Sequence, residues 1–326
     1  MAFNEKRYTI GQCKELFMLD LEGRCSAATI ENYENHLKYF SDFIKSEFQY
    51  DDNTIIDNIK LQDLQKYQKY LRTRKKNQDH LYKPVEDKCI SMTTIRDYVM
   101  DIKTFFSFCY RLDYMDYEIT KNLKLAKRDQ VEKLPLYQSE VEQIENMFKG
   151  RTEGNARNLA IIHCGLDAGL RSGEVINLRL KDIDTKRNFL FVNLGKGNKS
   201  RYVPLSNRLK NYLVTYKTLH RFNDNNDDSY FFFNIASNEP ITKDTLKQMY
   251  SRVKKNTSIF RLNHHLLRHT FATAFMSENG NIELLRNYMG HSSFNITQNY
   301  LHIVQKYKAI SDDIYKLDPK FIRNSI

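Results

Sequence analysis

The sequence predicts a mainly α-helical protein of two domains, an N-terminal helical bundle followed by a mixed α+β domain with a small antiparallel sheet. Three observations carry this. The 326 residues include only 11 glycines and 5 prolines, too few for a loop-rich all-β fold. Apolar residues recur at three- and four-residue spacing through most of the chain, the period of an amphipathic helix. One stretch breaks that period: Phe189 to Leu194 and Arg201 to Leu205 flank Gly195-Lys-Gly-Asn-Lys199. Its two glycines supply the unusual backbone angles of a hairpin loop. At roughly 100–200 residues per domain, two domains suit the length.

The elements follow in order. Ile10 to Leu21 is a short amphipathic helix. A second opens at Ser26 or Thr29 and carries Ile30, Tyr33, Leu37, Phe40, Phe43 and Ile44 on one face. A third spans about Leu61 to Arg74. A fourth follows Ser91, with Ile95, Tyr98, Val99, Ile102, Phe105, Phe106 and Cys109 as its stripe. These stripes read as the core of an aromatic-rich bundle. Ile119 to Leu136 is lysine-rich, lacks a strong stripe and contains Pro135, so it reads as the connection between domains. The resulting boundaries are 1–128 for the bundle, 129–136 for the linker and 137–326 for the second domain. There, helices are expected near Ser139–Phe148 and Arg157–Ala168, then the two strands. Helices follow at Asn207–Leu219, Thr242–Asn256, His265–Glu278, Ile282–Met289 and Asn295–His302. An amphipathic tail helix runs from Val304 to Leu317 through Ile310 and Ile314. Asn223 to Asp228 is a polar loop, and Phe231 to Phe233 a buried strand or core plug.

Charge separates the halves. Residues 1–132 hold 22 basic and 22 acidic side chains, so the whole net charge of +11 falls in 133–326, with 29 and 18. Such a surplus favours a polyanionic partner, either nucleic acid or an anionic membrane surface. No run approaches the roughly 18 apolar residues of a membrane span, and the N-terminus has no apolar signal core. The expected location is therefore cytoplasmic. Five scattered cysteines without a CxxC pair read as reduced thiols. The basic runs Lys66–Lys76 and Lys121–Arg128 are either solvated helix faces or nucleic-acid contacts.

Six polar residues in the second domain form a chemically coherent set: Arg171 in GLRSGEV, Lys196 in GKGNKSR, His265 and Arg268 in HLLRH, His291 in GHSS and Tyr300 in QNYLH. No carboxylate cluster accompanies them. Two guanidiniums grip phosphoryl oxygens in a fixed fork geometry that lysine cannot reproduce. A tyrosine hydroxyl, with a pKa of about 10, attacks phosphorus only with a base and a positive neighbourhood. The leaving 5′ oxygen needs a proton from Lys or His. The set suits a phosphodiester attacked by a phenol. His265 and His269 share a helix face and could ligate a metal, but no acidic or Cys partner accompanies them.

AGLRSGEVINLRLKDID, GKGNKSRYVPL, HHLLRHTFAT and MGHSSFNITQNYLH stand as four separated motifs in one order, and on them the chain resembles the tyrosine recombinases of the phage integrase family, most like short two-domain Xer-like and transposon-type members. The resemblance covers about Leu134 to Lys308. The helices Ser26–Phe43 and Ser91–Phe108 also look like that family's SAM-like core-binding domain. It implies that Arg171 and Arg268 clamp the scissile phosphate and that His265 assists Tyr300. It also implies that His291 holds a non-bridging oxygen and that Tyr300 forms the 3′-phosphotyrosyl link. Lys196 would protonate the leaving 5′ oxygen, with Lys199 its rival three positions along. His265 is preferred over His264 because it lies three before Arg268. Glu174 would support the first arginine. Lys199, Arg201, Arg72, Arg74, Lys75 and Arg96 are expected DNA contacts.

No cofactor and no obligatory metal are implied. The implied partners are duplex DNA with paired recombination sites and three further copies of the chain, giving a tetramer on DNA from a free monomer or dimer. Accessory DNA-bending or directionality proteins would join them, in a bacterial, nucleoid-associated setting. The tail after Tyr300 would insert into a neighbouring protomer, or else pack against its own domain. Two other functions fit the same residues: a type IB topoisomerase-like DNA-relaxing enzyme and a non-catalytic DNA-binding regulator.

Overall fold

The computed structural model describes residues 7–78, 84–127, 134–193, 200–220, 226–278, 280–290, 300 and 313–317. The chain divides into two compact units, Met1–Glu132 and Lys133–Ile326.

The first unit packs four helices, α1 (Ile10–Glu22), α2 (Ala27–Phe48), α3 (Leu61–Leu71) and α4 (Met92–Arg111). α1 starts in a capping box: Gln12 N–H donates to Thr9 Oγ1, and the Thr9 N–H donates to the Gln12 side chain. Ser91 caps α4 by accepting from Thr94 N–H at 3.1 Å. α2 ends at Gln49, whose φ of 60° turns the chain out of the helix. The expected apolar stripes meet in one core. Phe17 packs edge-on to Phe105, and Phe40 meets Phe106 and Tyr67 edge-on.

The expected linker is shorter than its composition suggests. Thr120, Leu123 and Ala126 are buried, and Leu123 belongs to the first core. Leu136 is fully buried in the second core, and its N–H donates to Thr270 Oγ1 at 2.9 Å. Spaced lysines alternate with apolar residues that are tucked in.

The second unit is built around α6 (Glu153–Leu166). From Ala160 to Leu166 every residue is buried, as expected of a helix enclosed on all sides. α5 (Gln138–Met147) precedes it, and the short α7 (Ser172–Ile176) follows. The sheet has three antiparallel strands in the order β1 (Ile183–Asp184), β2 (Phe189–Val192), β3 (Arg201–Pro204). Two residues are too few to show a period, so β1 is invisible in the sequence. Pairing of Leu190 with Val203 and Val192 with Arg201 puts those four side chains on the inner face. The other helices among the described residues are α8 (Asn207–His220), α9 (Lys243–Thr257), α10 (His264–Ser277) and α11 (Ile282–Met289). α8 and α10 pack against α6, and α10 also meets α11. Phe231 and Phe232 plug the core.

The helix expected at Asn295–His302 lies outside the described residues except for Tyr300, as does most of the tail. The described part of the tail is not helical at its end. Ile314 forms an antiparallel bridge with Tyr137, and Ile314, Tyr315 and Leu317 are buried in the core of their own unit. Tyr315 reaches Asp167, the residue closing α6, with a 2.6 Å hydrogen bond. No described helix is long and apolar enough to cross a membrane.

Tyr67 in the first core is 1% exposed, and its hydroxyl has no hydrogen-bond partner among the described residues. An unsatisfied buried hydroxyl costs about 1–3 kcal/mol. Tyr67→Phe is therefore expected to stabilise the protein by about 1 kcal/mol, read as a higher denaturant midpoint at unchanged slope. A lower midpoint would contradict this packing.

Candidate functional site

The site grows from two turns and one helix of the second unit. α6 ends at Leu166, and the chain turns through Gly169 into Arg171, the residue before α7. α11 ends at Met289 and turns through Gly290. Both glycines sit at φ +59°, a region that L side chains rarely adopt. Both also present their carbonyls to an arginine. Gly169 O accepts from Arg268 Nη1, and Gly290 O accepts from Arg171 Nη2 at 2.9 Å. Arg268 Nη2 donates to the adjacent Met289 carbonyl at 2.5 Å. The two arginines, 97 positions apart in sequence, thus hang on neighbouring carbonyls of one turn.

Glu174 ties this arrangement to the sheet. Its carboxylate accepts from the Arg171 N–H at 2.7 Å and from Arg171 Nη1 at 2.9 Å. On its other side it receives both terminal nitrogens of Arg201, each at 2.8 Å. Arg201 also donates through Nε to the Tyr288 carbonyl at 2.6 Å. Burial alone would raise the Glu174 pKa, but the Arg201 fork and the two Arg171 donors hold it down at about 2. The carboxylate is ionised throughout the physiological range. Its folded pKa lies below its ordinary 4.5, so its stabilisation is complete above pH ~4.5 and is lost as pH falls toward 2.

Arg268 is 5% exposed. Burial, and then the like charge of Arg171, pull its pKa down to about 9, so it still carries its proton near pH 7. Arg171, Arg201 and Arg268 bring three positive charges, and the carboxylate bonded to Arg171 and Arg201 is that of Glu174. The cleft beside them is about 380 Å³ and is lined by Arg171, Glu174, Asn193, Lys243 and His265, among others. Of the three arginines Arg171 lines the cleft, and a forked cation with further positive charge behind it suits a phosphoryl group.

The adjacent histidines part company. His264 is buried, with Nε2 2.9 Å from the Leu170 carbonyl and Nδ1 2.7 Å from the Tyr250 hydroxyl. A carbonyl only accepts, so Nε2 carries the proton and Nδ1 accepts from Tyr250. Burial lowers the His264 pKa to about 4, which keeps it neutral. His265 is exposed on the cleft. Tyr300 is half-buried against the core, and its ring lies 5.4 Å from that of His269. Burial raises the Tyr300 hydroxyl above its usual range, while Arg268 acts in the opposite direction.

Of the sequence-predicted residues, the structure brings Arg171, Glu174 and His265 to the cleft, sets Arg268 beside Arg171, and places Tyr300 within electrostatic reach of Arg268. Lys196, Lys199 and His291 lie outside the described residues. Three expected DNA contacts take other places. Arg201 is 8% exposed and is committed to Glu174 and Tyr288, so it braces the site from behind. Arg74 is buried, with its guanidinium 3.9 Å over the Tyr39 ring. Arg96 is half-buried and donates to the Ala126 carbonyl at 2.9 Å. Arg72 and Lys75 are exposed, and Lys75 pairs with Asp87 at 3.0 Å. Among the described residues no group of three or more His, Cys, Asp or Glu could hold a metal.

The model of the phage integrase family matches residues 135–306. A tyrosine recombinase XerC of Oceanobacillus iheyensis is 26% identical over 292 residues, covering 88% of this chain and 89% of its own. A tyrosine recombinase XerC of Pediococcus pentosaceus is 28% identical over 296 residues, covering 83% and 94%. Among solved structures, the Tn1549 transposon integrase in complex with circular intermediate DNA shares the fold, with a TM-score of 0.69 and 19% identity over 90% of this chain and 95% of that one. The XerH site-specific recombinase bound to its palindromic difH substrate does so with a TM-score of 0.63 and 21% identity over 95% and 91%.

Glu174→Gln leaves Arg201 buried without its counter-charge. Removing one partner of a buried pair costs about 3–5 kcal/mol, so a loss near the lower figure is expected in denaturant unfolding. A loss below about 1 kcal/mol, the worth of an exposed pair, would show that the bridge is not the brace described.

Proposed function

The chain belongs to the phage integrase family, and from that premise we propose that it is a site-specific DNA recombinase working through a phosphotyrosyl intermediate on Tyr300. The observation that carries the reading is that Arg171 and His265 line one cleft, with Arg268 held on the carbonyl next to the one that holds Arg171 and acting electrostatically on Tyr300.

The chemistry follows from those side chains. Arg171 and Arg268 neutralise the charge that builds on the non-bridging oxygens as phosphorus becomes five-coordinate. His265 takes the phenolic proton, and Tyr300 Oη forms a bond to phosphorus. The bond from phosphorus to the 5′ oxygen breaks, and that oxygen takes a proton from Lys196, with Lys199 the alternative donor. His291 holds a non-bridging oxygen. The bond to Tyr300 keeps the energy of the bond it replaced, so a 5′ hydroxyl of the partner strand attacks it without ATP. Rejoining to a different strand is recombination.

Four copies assembled on two paired sites, with accessory DNA-bending or directionality proteins, complete the reaction on nucleoid DNA in a bacterial cytoplasm.

Tyr300→Phe is expected to abolish covalent attachment to nicked duplexes tiled across the DNA flanking the gene, with duplex affinity unchanged. A protein–DNA adduct formed by Tyr300→Phe would assign the nucleophile elsewhere. Strand cleavage is expected to continue in excess EDTA, because the arginines supply the positive charge that a metal would otherwise provide. Loss of cleavage in EDTA would overturn that assignment. With plasmids carrying two sites, the expected products are recombinants; relaxed circles alone would make the enzyme a topoisomerase.

A further inference from the structure

We propose that Lys243, at the start of α9, binds a DNA backbone phosphate next to the one held by Arg171 and Arg268. The proposal rests on the reading that this cleft receives duplex DNA.

Lys243 comes from a different element than any residue of the clamp, yet it lines the same cleft as Arg171 and His265. Its side chain is exposed. The carboxylates nearby are already engaged. Glu174 accepts from Arg171 and Arg201. Asp182 is buried and accepts from the Arg179 N–H at 2.8 Å. Asp244, its neighbour in sequence, pairs with Lys247 at 2.9 Å. The first turn of a helix is an unfavourable place for a cation, so local helix chemistry does not account for a lysine there.

A duplex carries about one negative charge per 1.7 Å of its axis. A cleft that seats one phosphate therefore brings its neighbours within reach of a long side chain at the rim. Lysine is suited to such a contact, since a flexible point charge follows a phosphate without demanding the forked geometry of arginine. Lys243 also supplies the exposed positive charge expected of Arg201, which the structure commits to Glu174 instead.

The test is the salt dependence of binding to a mixed-sequence duplex. Each neutralised phosphate adds about 0.9 to the slope of log affinity against log salt. Lys243→Gln is expected to lower the slope by about 0.9 and the affinity about fivefold at about 0.15 M salt. Lys243→Arg should restore both. On tiled flanking duplexes, adduct formation by Lys243→Gln should fall at low DNA concentration and recover as the DNA is raised. An unchanged slope in a Lys243→Gln protein with native melting behaviour overturns the proposal. So does a deficit in adduct that persists at saturating DNA. If the unmodified protein binds duplex but forms no adduct on any of these DNAs, the recombinase reading fails, and the slope comparison still decides the role of Lys243.

Discussion

The cleft depends on one carboxylate. Placing Arg171, Arg201 and Arg268 close together inside a protein is opposed by Coulomb repulsion, which grows as water is excluded. Glu174 offsets it by accepting from both Arg171 and Arg201 in one fork-to-fork arrangement. The rest is done by backbone carbonyls, which carry partial negative charge and fixed direction. Gly169, Met289 and Gly290 aim theirs at the guanidiniums, and two of these three carbonyls belong to glycines in the left-handed region. Sequence therefore enters the site twice: once as the charged residues, and once as the glycines that let the main chain face them.

Much of this is legible in the amino-acid sequence, and the parts that are not have physical reasons. Helix periodicity locates α1 to α4 and most helices of the second unit, because each buries one stripe. Chemistry makes Arg171, Lys196, His265, Arg268, His291 and Tyr300 a coherent set, because few residue types can stabilise a phosphoryl group and attack it, but it is the four ordered motifs that single out these positions among the other Arg, Lys, His and Tyr residues. Arg201 reads as a DNA contact by its charge, although a signal against that was present. In a strand of period two it shares a face with Val203, and that face is the buried one. Arg74 gives no such signal, since it lies beyond the end of α3 and the Tyr39 ring beneath it comes from α2, 35 positions earlier. The stretch from Thr120 to Ala126 is hidden by its lysines, whose average polarity masks the buried Leu123 and Ala126 between them.

The end of the tail shows a different limit. Ile310, Ile314 and Leu317 have helical spacing, and the spacing is compatible with a helix. Ile314 instead pairs with Tyr137, and the Leu317 N–H donates to Glu278. Tertiary partners decide among local conformations when several bury the same side chains. Here the deciding partners are Tyr137, Asp167 and Glu278, none of them close in sequence.

Among the described residues the second unit contains two buried charge clusters, one around Asp167 and one around Glu174, and they differ in their balance of charge. Asp167 is fully buried and accepts from His163, from Arg208 twice and from Tyr315. Burial would raise its pKa, but His163 and Arg208 hold it well below the usual carboxylate range, and Asp167 in turn holds the His163 pKa up. Glu145 lies 3.0 Å from the other His163 nitrogen, so two carboxylates face Arg208 and His163, and the cluster anchors the tail segment to the end of α6. The Arg171 cluster shares the same turn of chain but has more cations than carboxylates, and it opens on a cleft. A protein retains a buried imbalance of charge where something outside it supplies the missing sign. On the proposed function, the missing charge beside Arg171 would be supplied by a phosphate of the DNA.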